Sequence, residues 1–537
     1  MRATLHAEGS RAVGSTPAQP PRRGPYVILF AIDGAGYDQL LAAIGSGHAT
    51  HLAQMLGKPA GVNLYEHAYS APDAITIMPS CSTAGWSAIV TGLPPADNGV
   101  AGDEFFVREQ NRFYAPIPLS TRDPRDFIAA VDDDLLGRIL EVPTVYQQIA
   151  EPSYVSLLYV YHGAAIYSTL SGRALLELGV GIIAGRFEEQ TLRQSIAPRI
   201  DDGSIPEIMR VLRGHGIPRL LVVYFPGPDI YAHGSPDPLR AQTRYLETHV
   251  DADIGRVLDE YARRDALDDT YVIITADHGH TPVMNDSAHD LDAGGHGALF
   301  RLLERSGFRV RPPGLRLAPT ARDYQAVVAD EGFSAYLYLA DRSTCPARGD
   351  ACEWSRPPRF RRDLMPVLRA LARANRFGQR VARMKGTLDL IFARDYRHGT
   401  LRPLPPLEVF DGRRLVPTAL YFARHPRPDL ADPVQRMSWL GNGPYGDRAG
   451  DIVVLAKAGM GVPVKQRYYF SNATYHAWHG SLSRQDAHVP LILASRAATG
   501  RALAATFAQV AHHPPSVLDV APLIRSLLRP RAGAPDQ

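Results

Sequence analysis

The chain has 537 residues, of which 45% are hydrophobic and 21% charged, and its formal net charge is +3. These values describe a globular protein with room for a large core and more than one structural unit, and they exclude a disordered, collagen-like or strongly polyionic chain. Lysine occurs only at Lys58, Lys385, Lys457 and Lys465, so arginine carries nearly all the positive charge, and no basic run is long enough to mark a nucleic-acid surface.

Residues 1–24 are rich in Gly, Ser, Pro and Arg and lack an apolar h-region, which predicts a disordered leader without a visible export signal. No apolar segment reaches the roughly 20 residues that span a bilayer. Tyr26 to Ile32 (YVILFAI) has the length and continuous apolar character of a buried parallel strand, and it delivers Asp33 at its C-terminal edge. Tyr37 to Leu56 has helical spacing. Ile75 to Gly92 (ITIMPSCSTAGWSAIVTG) predicts an extended run, a tight turn of small residues, and a helix from Ala84 to Val90 that stops at Gly92. Ser82 and Thr83 sit on that turn, where helix N-terminal amides favour an anion; an ordinary N-cap is the plain alternative.

A turn-rich loop follows through Asn98 and Asp103. A helix is expected from Pro143 to Ala150 and a strand from Tyr154 to Tyr161. Helix Pro206 to His215 precedes strand Arg219 to Phe225, which opens into Asp229 and His233. Pro238 to Arg264 is a long amphipathic helix, and strand Thr270 to Thr275 ends in Asp277-His278-Gly279-His280. From about Ala298 to Tyr445 arginine and proline become dense, strands shorten (Phe333 to Leu339), and a basic helix spans Arg362 to Asn375. The core is expected to resume at Gly450 to Ala456 and to continue through His479, strand Val489 to Ala494 and a closing helix, Ser516 to Leu528. Alternating strands and helices of this kind predict an α/β fold with a doubly wound, mostly parallel sheet and an inserted smaller α+β lobe. The expected division is core 25–297 and 446–530, lobe 298–445, and a frayed tail 531–537. Cys345 and Cys352 share one polar loop and are placed either to close a disulfide, which would suit an oxidising compartment, or to stay reduced; Cys81 is left over.

Three predicted strands end in an aspartate: Asp33, Asp229 and Asp277. Two of these ends add histidine, His233 and His278, and a late loop supplies His479. Carboxylate oxygen with imidazole nitrogen is the donor chemistry of hydrolytic zinc or a similar divalent ion. Each motif alone is weak, but three carboxylates at the ends of buried strands would be costly without a cation. His280 and His476 read as solvated loop residues, while His162 and Trp478 read as structural.

In this order the residues resemble the alkaline phosphatase superfamily, and within it the type I phosphodiesterase/nucleotide pyrophosphatase branch. The resemblance spans Tyr26 to Ala298 and Gly450 to Leu528. It implies two divalent metal ions, with zinc the first choice, one held by Asp229, His233 and His479. The other is held by Asp33, Asp277, His278 and the oxygen of Ser82, the nucleophile. Ser82 stands four residues before Trp86 and ten before Gly92, as in the family pattern. The implied activity is hydrolysis of small-molecule phosphodiesters or pyrophosphates through a phospho-serine, with phosphomonoesterase or phosphonate hydrolase activity, transfer of the group to another acceptor, or metal binding without turnover as the alternatives. Such enzymes are commonly exported. Thr83, Asn98 and Asp103 are the candidate substrate contacts, with Thr83 and Cys81 as rival nucleophiles. Asp103 stands where the family has an asparagine on a phosphate oxygen, and as a carboxylate it is expected to point away or to meet a cationic part of the substrate.

Overall fold

The computed structural model describes residues 25–529 except 122, 171–189, 293–296, 316, 318–321, 400, 472–473 and 513. The expected leader and tail lie outside the described residues.

Nine strands form the central sheet in the order Pro59–Gly61, Leu64–Tyr65, Ala68–Ser70, Leu491–Ala494, Thr270–Thr275, Tyr26–Ile32, Leu220–Phe225, Ser153–Ser156 and Ile166–Ser168. The last five run parallel, and Leu491–Ala494 and Ala68–Ser70 continue the sheet antiparallel to their neighbours. Every residue of Tyr26–Ile32 and of Leu220–Phe225 is buried, which explains why both read as unbroken apolar runs. Phe30 is level with Ile274 on one side and Val223 on the other. That register brings the C-terminal ends of three adjacent strands to one edge, so Asp33, Asp229 and Asp277 meet although they are far apart in sequence.

Two expected elements are shorter than their patterns. The strand from Tyr154 stops at Ser156 because Leu157 adopts φ 66°, a left-handed conformation no strand continues through. The helix expected from Pro143 to Ala150 is a single turn, Val145–Gln148, closed by a capping box between Thr144 and Gln147. The long helix from Pro238 is present as Pro238–Tyr245 and Asp251–Ala262, joined by a π turn at Leu246–Val250.

A separate lobe is built on a six-stranded antiparallel sheet, ordered Ala326–Glu331, Ser334–Leu339, Ile452–Ala456, Leu388–Arg394, Leu407–Phe410 and Leu415–Val416. Ile452–Ala456 corrects an expectation. It lies inside the lobe sheet, between Ser334–Leu339 and Leu388–Arg394, and not in the central sheet. A short apolar run is equally suited to either sheet, and its partners decide. On one face of the lobe sheet Leu337, Ile391 and Val454 pack with helix residues Leu302, Leu368 and Leu371. On the other, Tyr336, Phe392 and Val453 belong to the same apolar cluster as the central sheet. Cys345 and Cys352 form a disulfide, and Cys81 is free and buried. Among the described residues no helix is long and apolar enough to cross a membrane.

Candidate metal centre

Ser82 is the first residue of the helix Ser82–Thr91, whose ten residues are all buried. Cys81 before it is extended, and Gly92 ends the helix at φ 73°, where glycine carries no Cβ penalty. Gly85 faces the loop after Thr275 so closely that an added Cβ would lie 2.7 Å from the Asp277 Cβ. This close approach sets the Ser82 helix directly against the Asp277 loop. Asp229 and His233 lie one turn apart on the helix Gly227–His233, so both side chains share a face. His479 follows the two-residue strand Ala477–Trp478, which pairs antiparallel with Thr281–Pro282 just beyond His280.

These elements bring the predicted ligands into one buried cluster. Ser82 Oγ lies 3.4 Å from Asp33 Oδ1 and 3.2 Å from His278 Nε2. His278 Nε2 is 3.4 Å from both Asp33 Oδ1 and Asp277 Oδ2. Around Asp229 Oδ1 stand His280 Nε2 at 3.0 Å, His233 Nε2 at 3.3 Å and His479 Nε2 at 3.9 Å. The rings of His278 and His479 stack at 3.7 Å and link the two halves.

The four histidines share a tautomer set by the backbone. His233 Nδ1 donates to Ala477 O at 2.7 Å, His278 to Gly279 O at 3.1 Å, His280 to Gly34 O at 3.0 Å and His479 to Ser80 O at 3.0 Å. Each Nε2 is thereby the nitrogen turned toward a carboxylate, and its lone pair faces the cluster whenever the ring is neutral, the arrangement a metal-binding imidazole needs. The carboxylates are held from behind. Asp33 Oδ2 accepts from Trp86 Nε1 at 3.3 Å and from the Tyr224 hydroxyl, and Asp277 Oδ1 accepts from Gly34 N at 3.0 Å.

Charge in the cluster is unbalanced without a cation. Burial, then Asp277 and Asp229, push the Asp33 carboxyl well above the usual carboxylate range, and burial does the same to Asp277. Burial pushes Asp229 up as well, but the charges of His233 and His280 outweigh it and hold that carboxyl well below its usual range. Burial drives His278 down to about 3, and burial with neighbouring His278 drives His479 down too. Against its own burial, His280 is raised by Asp229. Asp229 Oδ1 and Asp277 Oδ2 are buried and complete no hydrogen bond. Orphaned carboxylate oxygens opposite bare imidazole nitrogens fit divalent cations with mixed N/O ligation. Three overlapping sets have ligand atoms within 4.8 Å of one another: Asp229 with His233 and His280, Asp229 with His278 and His479, and Asp33 with Asp277 and His278.

Other sequence expectations resolve individually. His280 is fully buried and beside Asp229, not solvated; a second histidine two residues after His278, just beyond the end of a buried strand, is the signal that would have revealed it. His162 pairs with Asp134 at 2.5 Å, and Trp478 packs in an apolar cluster with Phe333 and Tyr469, so both are structural. Asn98 is withdrawn as a substrate contact: Nδ2 donates to Leu93 O and Oδ1 accepts from Val100 N, each at 2.8 Å, which staples its own loop. Asp103 does not point away, because Oδ1 accepts from Thr83 N at 2.9 Å, next to Ser82. Burial pushes its carboxyl up to about 6. Tyr224, which anchors Asp33, was hidden from sequence reasoning inside an apolar strand pattern.

A family model described as type I phosphodiesterase / nucleotide pyrophosphatase matches residues 27–350. No curated protein matches the chain at a significant level. Among solved structures, murine ectonucleotide pyrophosphatase / phosphodiesterase 5 is similar at 12% identity and a TM-score of 0.50, covering 95% of this chain and 97% of that one. Wild-type alkaline phosphatase PafA is similar at 13% identity and a TM-score of 0.51, covering 95% and 96%. At these identities the likeness establishes the fold.

Proposed function

Because the chain belongs to the type I phosphodiesterase / nucleotide pyrophosphatase family, we propose that it is a metal-dependent hydrolase of small-molecule phosphodiesters or pyrophosphates, with Ser82 as nucleophile. Membership makes it a phosphodiesterase/pyrophosphatase- or phosphatase-type hydrolase of the alkaline phosphatase superfamily; the finer assignment rests on the site. The observation that carries it is the position of Ser82 Oγ, within 3.4 Å of Asp33 and His278, beside a second set of donors around Asp229. Asp229, His233 and His479 would hold one divalent ion; Asp33, Asp277, His278 and the Ser82 oxygen would hold the other, with zinc suiting these donors best. Bound there, the ions supply positive charge against the three aspartates and lower the pKa of a coordinated oxygen.

Ser82 Oγ, having lost its proton to solvent, attacks phosphorus as the bond to the leaving oxygen breaks and that oxygen departs. The Ser82 phosphate ester, which keeps the other substituent on phosphorus, is then hydrolysed by water to regenerate the serine. The buried helix Ser82–Thr91 fixes the direction of attack, while Trp86 and Tyr224 hold the Asp33 carboxylate in place. The disulfide in the lobe suits an oxidising compartment.

Asp103 supports a diester over a monoester. It occupies the Thr83 amide, and with a carboxyl near 6 it is ionised at about pH 8. A carboxylate there repels the second charge of a monoester dianion more than the single charge of a diester. The test compares bis-p-nitrophenyl phosphate with p-nitrophenyl phosphate at about pH 8, using zinc-loaded wild type and Asp103→Asn. The wild type is expected to prefer the diester, and Asp103→Asn to shift relative kcat/KM toward the monoester by about tenfold, equivalent to about 1.4 kcal/mol. A wild-type preference for the monoester would move the protein to the phosphatases.

A further inference from the structure

A phosphoryl group on Ser82 needs a donor for the oxygen that is neither the entering nor the leaving one. The neighbouring amides are already used. Thr83 N–H is bonded to Asp103 Oδ1 at 2.9 Å, and the amides of Asp103 and Glu104 are bonded to Glu331 at 2.8 and 2.9 Å. Ionised Asp103 accepts hydrogen bonds and cannot supply one.

Two hydroxyls remain, that of Thr83, the residue after Ser82, and that of Tyr159. Tyr159 is 4% exposed and Thr83 is fully buried, and neither Tyr159 Oη nor Thr83 Oγ1 completes a hydrogen bond. The Tyr159 hydroxyl is directed at the Thr83 side chain, and the charges of Asp103 and Asp33 bear on it. Leaving a buried hydroxyl unpaired costs about 1–3 kcal/mol, so an orphan at this place calls for a ligand. The side chain is also well positioned. Its ring meets Tyr224 edge-on at 6.3 Å, Tyr224 meets Trp86 edge-on at 5.5 Å, and both Trp86 and Tyr224 donate to Asp33. One aromatic row therefore fixes the Tyr159 hydroxyl relative to the carboxylate beside the nucleophile.

We propose that the Tyr159 hydroxyl donates a hydrogen bond to a non-bridging oxygen of the phosphate ester attacked by Ser82, making Tyr159 a substrate-binding residue of this site. The assignment rests on the reading of Ser82 as the nucleophile. Burial, followed by Asp103 and Asp33, raises the phenol well above its ordinary value, so it stays a donor wherever the enzyme works. The bond strengthens as charge grows on that oxygen, and its loss is therefore felt in kcat/KM.

The experiment uses metal-loaded full-length protein, Tyr159→Phe, methyl p-nitrophenyl phosphate and the two separated enantiomers of methyl p-nitrophenyl phosphorothioate. Sulfur is a poor hydrogen-bond acceptor, and each enantiomer places it at a different non-bridging position. Tyr159→Phe is expected to lower kcat/KM about 10- to 100-fold for the oxygen ester and for one enantiomer. It should leave the other enantiomer, with sulfur already facing the hydroxyl, nearly unchanged, so the enantiomer ratio shifts by the same factor, about 10- to 100-fold. Unchanged kinetics, or an equal fall for all three substrates, would overturn the proposal, the second result marking a merely structural residue. An unaltered Tm guards against misfolding of the variant. Wild-type protein without turnover, or Ser82→Ala with full turnover, would instead fail the nucleophile reading and take this assignment with it.

Discussion

Ser82→Ala is expected to lower kcat for bis-p-nitrophenyl phosphate by about 10³-fold or more while leaving the fold intact. Removing the nucleophile of a covalent mechanism deletes the bond-forming atom, and such losses are far larger than those from positioning groups. Ser82 lies at the head of a buried helix, and among the described residues its Oγ has two side-chain hydrogen-bond partners, Asp33 at 3.4 Å and His278 at 3.2 Å. Alanine keeps the helical backbone, so thermal unfolding should change little. Cys81→Ala and Thr83→Ala provide the comparison. Cys81 Sγ lies within 4.8 Å of Asp103, and the Thr83 backbone amide donates to Asp103; each variant should retain measurable turnover. If Thr83→Ala or Cys81→Ala abolished hydrolysis while Ser82→Ala kept it, the nucleophile would move by one residue.

Metal removal is the second large effect, and it acts on stability as well as on rate. Chelation should abolish hydrolysis, and reloading with zinc should restore it. An ion at 100 times its Kd stabilises the folded chain by about 2.7 kcal/mol per site, enough to raise Tm by several degrees. The pH dependence follows from the carboxyls. Asp33 and Asp277 are raised above their unfolded values by burial and by neighbouring carboxylates. In stripped protein their contribution is present below the ordinary carboxylate range and is lost as pH rises through the raised values. Asp229 is lowered, so its contribution is already complete above that range. His278, with its value near 3, is neutral from about pH 5 upward, and burial with neighbouring His278 lowers His479 too. Ions bound to ionised carboxylates cancel the loss at Asp33 and Asp277. The Tm difference between loaded and stripped protein should therefore widen from about pH 5 to about pH 8. Equal Tm values at every pH would contradict a metal centre at these residues.

Much of this centre was legible because parallel strands impose a simple grammar. Tyr26–Ile32, Leu220–Phe225 and Thr270–Thr275 are apolar throughout, and the polar residues after them must lie at the sheet edge, so Asp33, Asp229 and Asp277 could be placed together from spacing. What escaped depends on contacts between distant segments. Ile452–Ala456 has the same apolar pattern as a central strand, and only its pairing with Ser334–Leu339 and Leu388–Arg394 places it in the lobe. Leu157 carries no local mark of its positive φ. His280 looked surplus beside the expected ligands, yet Gly34 O and Asp229 draw it inside. Asn98 and Asp103 share one loop in the sequence; the structure separates them, with Asn98 closing that loop and Asp103 reaching the helix of Ser82.

The central claim is that Ser82 takes the phosphoryl group. Metal-loaded enzyme would be mixed with a phosphorus-labelled diester, quenched in acid within the turnover time, digested and mapped by mass spectrometry. The account predicts the label on the peptide containing Ser82, localised to that residue and absent from Ser82→Ala. Label on Thr83 or Cys81, or turnover with no labelled peptide at any quench time, would contradict it.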